Sequence, residues 1–239
     1  MPYYYYGFDW TYVILVLPCI IFAMIASASV NSTFKRYSAQ ISSRRITGAE
    51  AAKRVLSANG VYNVRIERVS GNLTDHYDPK TNVIRLSENV YDSPSTAAIG
   101  VACHEAGHAV QYAQNYGPIK LRAAIIPITN IGSKLAMPVI LLGLLFNTLG
   151  SFSYSMIYLG IACFALSLVF QLVTLPVEFN ASRRAMTTIN DAGLLTEAEQ
   201  SGARRTLRAA AMTYVAAVAV SLAQLLRLVL LFGGRRSRD

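Results

Sequence analysis

Histidine, cysteine and charge are all scarce in this chain. Of its 239 residues, three are histidine, three are cysteine, one is tryptophan and 15% are charged. With 53% hydrophobic residues and a mean hydropathy of +0.36, so little charge excludes an ordinary soluble domain. Cys19, Cys103 and Cys163 are odd in number and far apart, which excludes a disulfide framework and a cysteine-built zinc site. Acidic residues (13) are outnumbered by basic ones (22), for a net charge of +9. No basic stripe is interleaved with aromatics, so no nucleic-acid partner is expected. The cations instead flank apolar runs, as they do on the cytoplasmic side of membrane helices. The first twelve residues contain no Lys or Arg, so they are not the basic start of a secretory signal. No internal repeat or low-complexity tract is present.

Against that background, two of the three histidines fall in one short stretch, Val101-Ala-Cys-His104-Glu105-Ala-Gly-His108-Ala-Val. Residues four apart share a helical face about one turn apart. Both imidazoles can therefore reach one metal ion, with Glu105 beside the open coordination position. This is the H-E-x-x-H arrangement of zinc-dependent hydrolases. Cys103 is next to His104 but points away from that face, and reads as a small buried apolar residue.

The flanking chain reads as membrane helices around a small polar portion. Tyr3 to Tyr6, Trp10 and Tyr12 suggest an interfacial aromatic belt. Val13 to Val30 is apolar, uncharged and long enough to span a bilayer. Lys35, Arg36, Arg44 and Arg45 follow, placing the amino terminus outside and the next segment in the cytoplasm. Thr47 to Glu50 is a capping box for a short helix that Gly60 can close. Val61 to Val69 alternates as a strand, Asp75 to Pro79 is turn chemistry, and Asn82 to Ser87 is a second strand able to pair with the first. Ser93 to Thr96 starts the metal helix, and Gly117-Pro118 is expected to end it. Leu135 to Leu149, with extra length upstream of Lys134, forms a second span, and Phe152 to Val177 a third. Their short uncharged link, Asn147 to Ser151, faces outside. Lys134 reads as a residue that snorkels to the interface. A last apolar helix runs from about Thr206 to Phe232, interrupted by Gln224 and Arg227. A fourth full crossing would put the basic tail Gly233 to Asp239 outside, against the positive-inside rule. The sequence therefore leaves open whether that helix crosses.

A catalytic zinc takes three protein ligands and keeps one position open. Beyond His104 and His108, the best third ligand is Glu178. A carboxylate where a membrane helix meets water is costly unless it is solvated or bound. Glu105 is the expected general base. Tyr214, His76, Tyr77, Arg183 and Arg184 are each able to stabilise an oxyanion or contact substrate. Each also has a plain structural reading, as a packing residue, a turn residue or a cytoplasmic anchor. The strand Asn82 to Ser87 is either structural or an edge on which a peptide substrate could lie.

Gly71-Asn-Leu-Thr-Asp-His-Tyr-Asp-Pro, Val83-Ile-Arg-Leu-Ser, the His104 to Gln111 run and Leu175-Pro-Val-Glu-Phe-Asn-Ala-Ser-Arg-Arg-Ala resemble the YugP-like neutral zinc metallopeptidases of bacterial membranes. The likeness covers nearly the whole chain. The order of metal helix, membrane hairpin and glutamate is also similar to the HtpX type of membrane gluzincin. The resemblance implies one zinc per chain on His104, His108 and Glu178, with Glu105 catalytic. Ser182 stands where the related Glu-x-x-Ala-Asp motif has its Asp, so the carboxylate that would orient a histidine is missing or supplied differently.

The expected fold class is mainly α. It is an integral membrane helix bundle with a small α+β zincin-like cytoplasmic portion, built of a short β-hairpin and the metal helix. Residues 1–30 are the anchor, 31–122 the catalytic portion, 123–177 the hairpin, 178–208 the third-ligand segment, and 209–239 the last membrane helix with its tail. The expected activity is peptide-bond hydrolysis at the cytoplasmic face of a bacterial inner membrane. Its partners would be the bilayer and a protein or peptide substrate, with no expectation for oligomeric state. The alternative is a zinc-binding membrane scaffold without turnover.

Overall fold

Long apolar runs fold as helices when no water is available to satisfy their backbone groups. The computed structural model describes residues 9–146 and 150–233, and in it four helices are long and apolar enough to cross a membrane. The first begins with a π-helical turn at Tyr12–Val16 and continues as α1, Leu17–Ser38. The others are α5 (Gly117–Leu145), α6 (Ser151–Asp191) and α7 (Glu197–Phe232). Between α1 and α5 lie α2 (Gly48–Ala58), β1 (Arg65–Val69), β2 (His76–Asp78), β3 (Val83–Ser87), α3 (Glu88–Tyr91) and α4 (Thr96–Ala113). The fold is mainly α with a small α+β part. The Tyr3 to Tyr6 belt, most of the link between α5 and α6, and the tail after Gly233 lie outside the described residues.

The chain divides into two compact units. One comprises residues 26–121 with 173–213, and the other residues up to 25, 122–172 and from 214 onward. In the first, β3 is the central strand. It pairs in parallel with β1 and antiparallel with β2. Its Val83, Ile84 and Leu86 are fully buried, as expected for a strand covered on both faces. This corrects one expectation. The strand over residues 82–87 has no open edge, and β2 is an outer strand instead. Residues 76–78, expected as turn, pair as this strand because the turn begins at Asp78. Its carboxylate accepts hydrogen bonds from the Lys80 amide at 2.9 Å and the Thr81 hydroxyl at 2.7 Å. The first strand starts later than Val61, whose amide is bonded to the Leu56 carbonyl at 2.9 Å in the closing turn of α2.

The sheet packs with α2 and α4 around Val55, Leu56, Ile84, Leu86, Ile99 and Val110, joined by Ile189 and Leu194 of the later chain. The capping box of α2 is present, with Thr47 and Glu50 bonded reciprocally. Ser95 caps α4 by accepting from the Ala98 amide at 3.2 Å. The end of α4 differs from expectation. Asn115 adopts a left-handed conformation (φ 56°), and the Tyr116 amide reaches back to the Gln111 carbonyl at 2.9 Å. That closes α4, as an Asn in this position can. Gly117-Pro118 therefore opens α5, where a proline in the first turn costs no backbone bond.

In the other unit, α5 and α6 approach closely at small residues. A Cβ on Gly160 would lie 2.8 Å from the Ala136 carbonyl oxygen, and the Ser153 hydroxyl donates to the Gly143 carbonyl at 2.5 Å. Asp9, just before the first helix, accepts from Arg227 Nε of α7 at 2.9 Å. The Tyr158 hydroxyl, near the start of α6, donates to the Phe232 carbonyl at 3.4 Å. The beginning of the first membrane helix, the beginning of α6 and the end of α7 therefore share one end of this unit. Within this unit, the last turns of α7 are therefore held beside the start of the first helix and the start of α6.

Candidate metal centre

The site is built where α4 meets α6. α4 is lined with small residues, and those at Ala102, Ala106 and Ala109 are buried, so a neighbouring helix can come close. The closest approach is at Gly107, whose added Cβ would lie 2.8 Å from the Ala181 carbonyl oxygen. α6 continues unbroken through Pro176 to Asp191. Glu178 is therefore presented from the helix interior, just past the apolar run.

The crossing brings His104, His108 and Glu178 together, with one ligand atom from each lying within 4.8 Å of the others. Glu178 Oε2 is 3.2 Å from His104 Nε2 and 3.5 Å from His108 Nε2. Tetrahedral zinc with bonds of about 2.0–2.1 Å places neighbouring ligand atoms about 3.3 Å apart, so the two His–Glu separations suit such an ion. The imidazoles meet edge to face, with centroids 4.7 Å apart.

The outer nitrogens of both rings are engaged. Gln111 Nε2 donates to the Val177 carbonyl at 2.8 Å and to Asn180 Oδ1 at 2.9 Å. Its Oε1 is then the atom facing His108 Nδ1 at 3.0 Å, so that nitrogen must be the donor. Ser182 Oγ lies 3.1 Å from His104 Nδ1. Both Nε2 atoms are left directed at Glu178, the orientation a metal ligand requires. Burial of the His108 ring opposes its protonation. The bonds to Glu178 and Gln111 and the charges of Glu105 and Glu178 outweigh that, and raise its pKa above the ordinary value. A local field that retains a proton there also favours a metal cation. Glu105 is buried beside this group and accepts no hydrogen bond from the described residues, so its carboxylate is open to a water.

These features can be set against known proteins. The family described as "Putative neutral zinc metallopeptidase" matches residues 12–233. The chain belongs to this family. It is similar to the "Putative membrane protease YugP" of Bacillus subtilis (strain 168), with 45% identity over 228 residues covering 95% of this chain and 99% of that protein. No solved structure matches it.

In this member of the zinc metallopeptidase family, the remaining candidate residues lie on several different elements. Arg184 donates through Nε to Asn180 at 2.7 Å and through Nη1 to Gln114 at 2.6 Å, tying α6 to the end of α4. Tyr77, on β2, donates to Asn82 Oδ1 at 2.7 Å and packs on Tyr112 with centroids 5.6 Å apart. His76 is exposed, with Nδ1 2.8 Å from the Thr74 carbonyl. Arg183 is exposed on α6. Tyr214 lies on α7, in the other compact unit. Cys103 is fully buried, and burial pushes its thiol pKa up, which keeps it protonated and a poor ligand.

Sequence reading did not find Gln111 or Asn180. Gln111 was detectable in principle, since it follows His108 by three residues and so shares its face. Asp75 was missed too. It accepts from the Ser87 amide at 2.7 Å and from the Ser87 hydroxyl. Burial and, more weakly, the charge of Glu105 raise its pKa.

Proposed function

We propose that this protein is a membrane-embedded zinc endopeptidase, a gluzincin, using His104, His108 and Glu178 as ligands and Glu105 as general base. The convergence of three ligand atoms beside a buried Glu105 that accepts no hydrogen bond among the described residues carries this reading. When bound, zinc supplies Lewis acidity and lowers the pKa of its water to about 7. Glu105 takes the proton from the attacking water and returns it to the leaving nitrogen. Ser182 and Gln111 hold the histidine rings, so neither has to reorganise as charge develops. The outer edge of β2, which runs beside α4, is the strand on which an extended peptide would lie by main-chain hydrogen bonds.

The inner bacterial membrane is the proposed location, with the site on the cytoplasmic face. Lys35, Arg36, Arg44, Arg45, Arg204, Arg205 and Arg208 support that orientation, since they follow the apolar run of α1 or precede the apolar part of α7.

The test is a pair of measurements on the full-length protein. Wild type and Glu105→Gln are expected to hold about one zinc per chain, the single site the ligand set allows, and only wild type to cleave casein. Equal cleavage by both would sink the mechanism. Zinc binding without cleavage by either would favour a non-catalytic scaffold. Zinc loading unchanged by Glu178→Ala would remove the third-ligand assignment.

A further inference from the structure

A second site lies at the water-facing end of α1, sharing no residue with the metal centre. The apolar run of this helix ends at Val30. Over the next two turns Asn31, Lys35 and Ser38 line one wall of a cleft of about 640 Å³. Their spacings of four and three residues put them on one helical face. The opposite wall carries Asn89, Glu88 and Asp92. The cleft therefore sits at the height where lipid headgroups meet the end of a membrane span.

Its two walls differ in chemistry. On α1, Lys35 has no ion-pair partner among the described residues, and Ser38 Oγ is buried with no hydrogen-bond partner. A buried hydroxyl without a partner is costly. Together with the ammonium and the second N–H of the Asn31 amide, whose nitrogen also donates to the Ser27 carbonyl at 3.5 Å, it forms a donor set suited to a phosphate. On the facing wall, Glu88 and Asp92 share a single cation, Arg68, at 3.6 and 3.0 Å. Both remain 58% exposed and keep acceptor capacity toward the cleft. One wall donates to an anion, and the other accepts from a cation. A ligand satisfying both must be a zwitterion with phosphate and ammonium a few bonds apart.

We propose that this cleft holds the headgroup of an aminophospholipid, with phosphate on Lys35, Ser38 and Asn31 and its primary ammonium on Glu88 and Asp92. The acyl chains would remain in the bilayer beside α1. A choline headgroup fits less well, because its quaternary nitrogen donates no hydrogen bond. A glycerol headgroup leaves the lipid with net negative charge and no cation to meet the two carboxylates.

The test is lipid retention by the full-length protein, read by native mass spectrometry after delipidation and exchange into dioleoyl phosphatidylethanolamine, phosphatidylcholine or phosphatidylglycerol. Phosphatidylethanolamine is expected to bind about tenfold more tightly than the other two, the effect of losing one charge-assisted hydrogen bond. Lys35→Gln is expected to lose binding of about that size, and Lys35→Arg to keep it. The double variant Glu88→Gln, Asp92→Asn should bind the ethanolamine and choline lipids equally while its unfolding midpoint in detergent stays near wild type. Equal retention of all three lipids by wild type overturns the proposal, as does an unaltered ethanolamine preference in Lys35→Gln. Soluble glycerophosphoethanolamine binding as tightly as the lipid would assign the cleft to a free phosphate ester instead.

Discussion

Gly107 of α4 faces the backbone of Ala181 in α6 with no room for a side chain. A Cβ there would lie 2.8 Å from the carbonyl oxygen of Ala181 and 3.3 Å from its Cα. Backbone cannot rotate away as a side chain can, so the two helices would have to separate. Their separation sets the distance between the histidines and Glu178. Gly107→Ala is expected to cost about 1–3 kcal/mol through overpacking and to weaken zinc binding in the same variant. Gly117→Ala, at a position with nothing within 4 Å of the added carbon, is the control and should leave zinc affinity unchanged. Chelator competition measures both.

Ser182 does for His104 what Gln111 does for His108. Its hydroxyl meets Nδ1, and Nε2 is left for the metal. Loss of such an orienting bond typically lowers metal affinity about 10–100-fold. Ser182→Ala is expected to show a loss of that size with unfolding little changed. Ser182→Asp should recover it, because a carboxylate accepts the same bond. Unchanged zinc affinity in Ser182→Ala would show that His104 needs no partner.

Asp75 introduces a pH dependence of stability. Burial first, and the charge of Glu105 less strongly, raise its pKa in the folded protein above 3.8, the ordinary value. The folded state therefore binds this proton more tightly than the unfolded state does. Its contribution is fully present below the unfolded value and is lost as pH rises through the folded one. Asp75→Asn, which can still accept from the Ser87 amide, is expected to flatten the decline in thermal stability above about pH 4. Parallel melting curves against pH for wild type and variant would reject this role.

The ion pair of Asp9 with Arg227 bears on whether the last helix crosses. A charged side chain on a membrane helix is tolerated where it meets a partner or the interface, and Asp9 supplies both at the start of the first helix. Cysteines substituted at Trp10 and Gly233, in a background without Cys19, Cys103 and Cys163, are expected to react with an impermeant reagent from the same side. A cysteine at Lys53 should react from the other. Opposite labelling of Trp10 and Gly233 would mean that α7 does not cross.

The parts of this protein that depend on neighbouring residues along the chain were legible in its sequence. Helical geometry alone puts His104 and His108 on one face. Uninterrupted apolar runs require helices long enough for a bilayer, and Thr47 with Glu50 makes a helix start that needs no tertiary partner. A carboxylate at the end of an apolar run pointed to Glu178 as the third ligand, and the family likeness implied the same. Other features depend on which distant segments meet. The apolar run ends near Pro176, and packing carries α6 past it as helix, which places Glu178 mid-helix. Asp75 to Pro79 has turn composition, but β3 recruits residues 76–78 as a strand and thereby loses its own free edge. Ser182 looks like the loss of a carboxylate until the α4–α6 crossing sets its hydroxyl against His104. Local spacing determined the chemistry available to this chain. Only tertiary packing, acting between residues more than seventy positions apart, decided which atoms face one another and how closely.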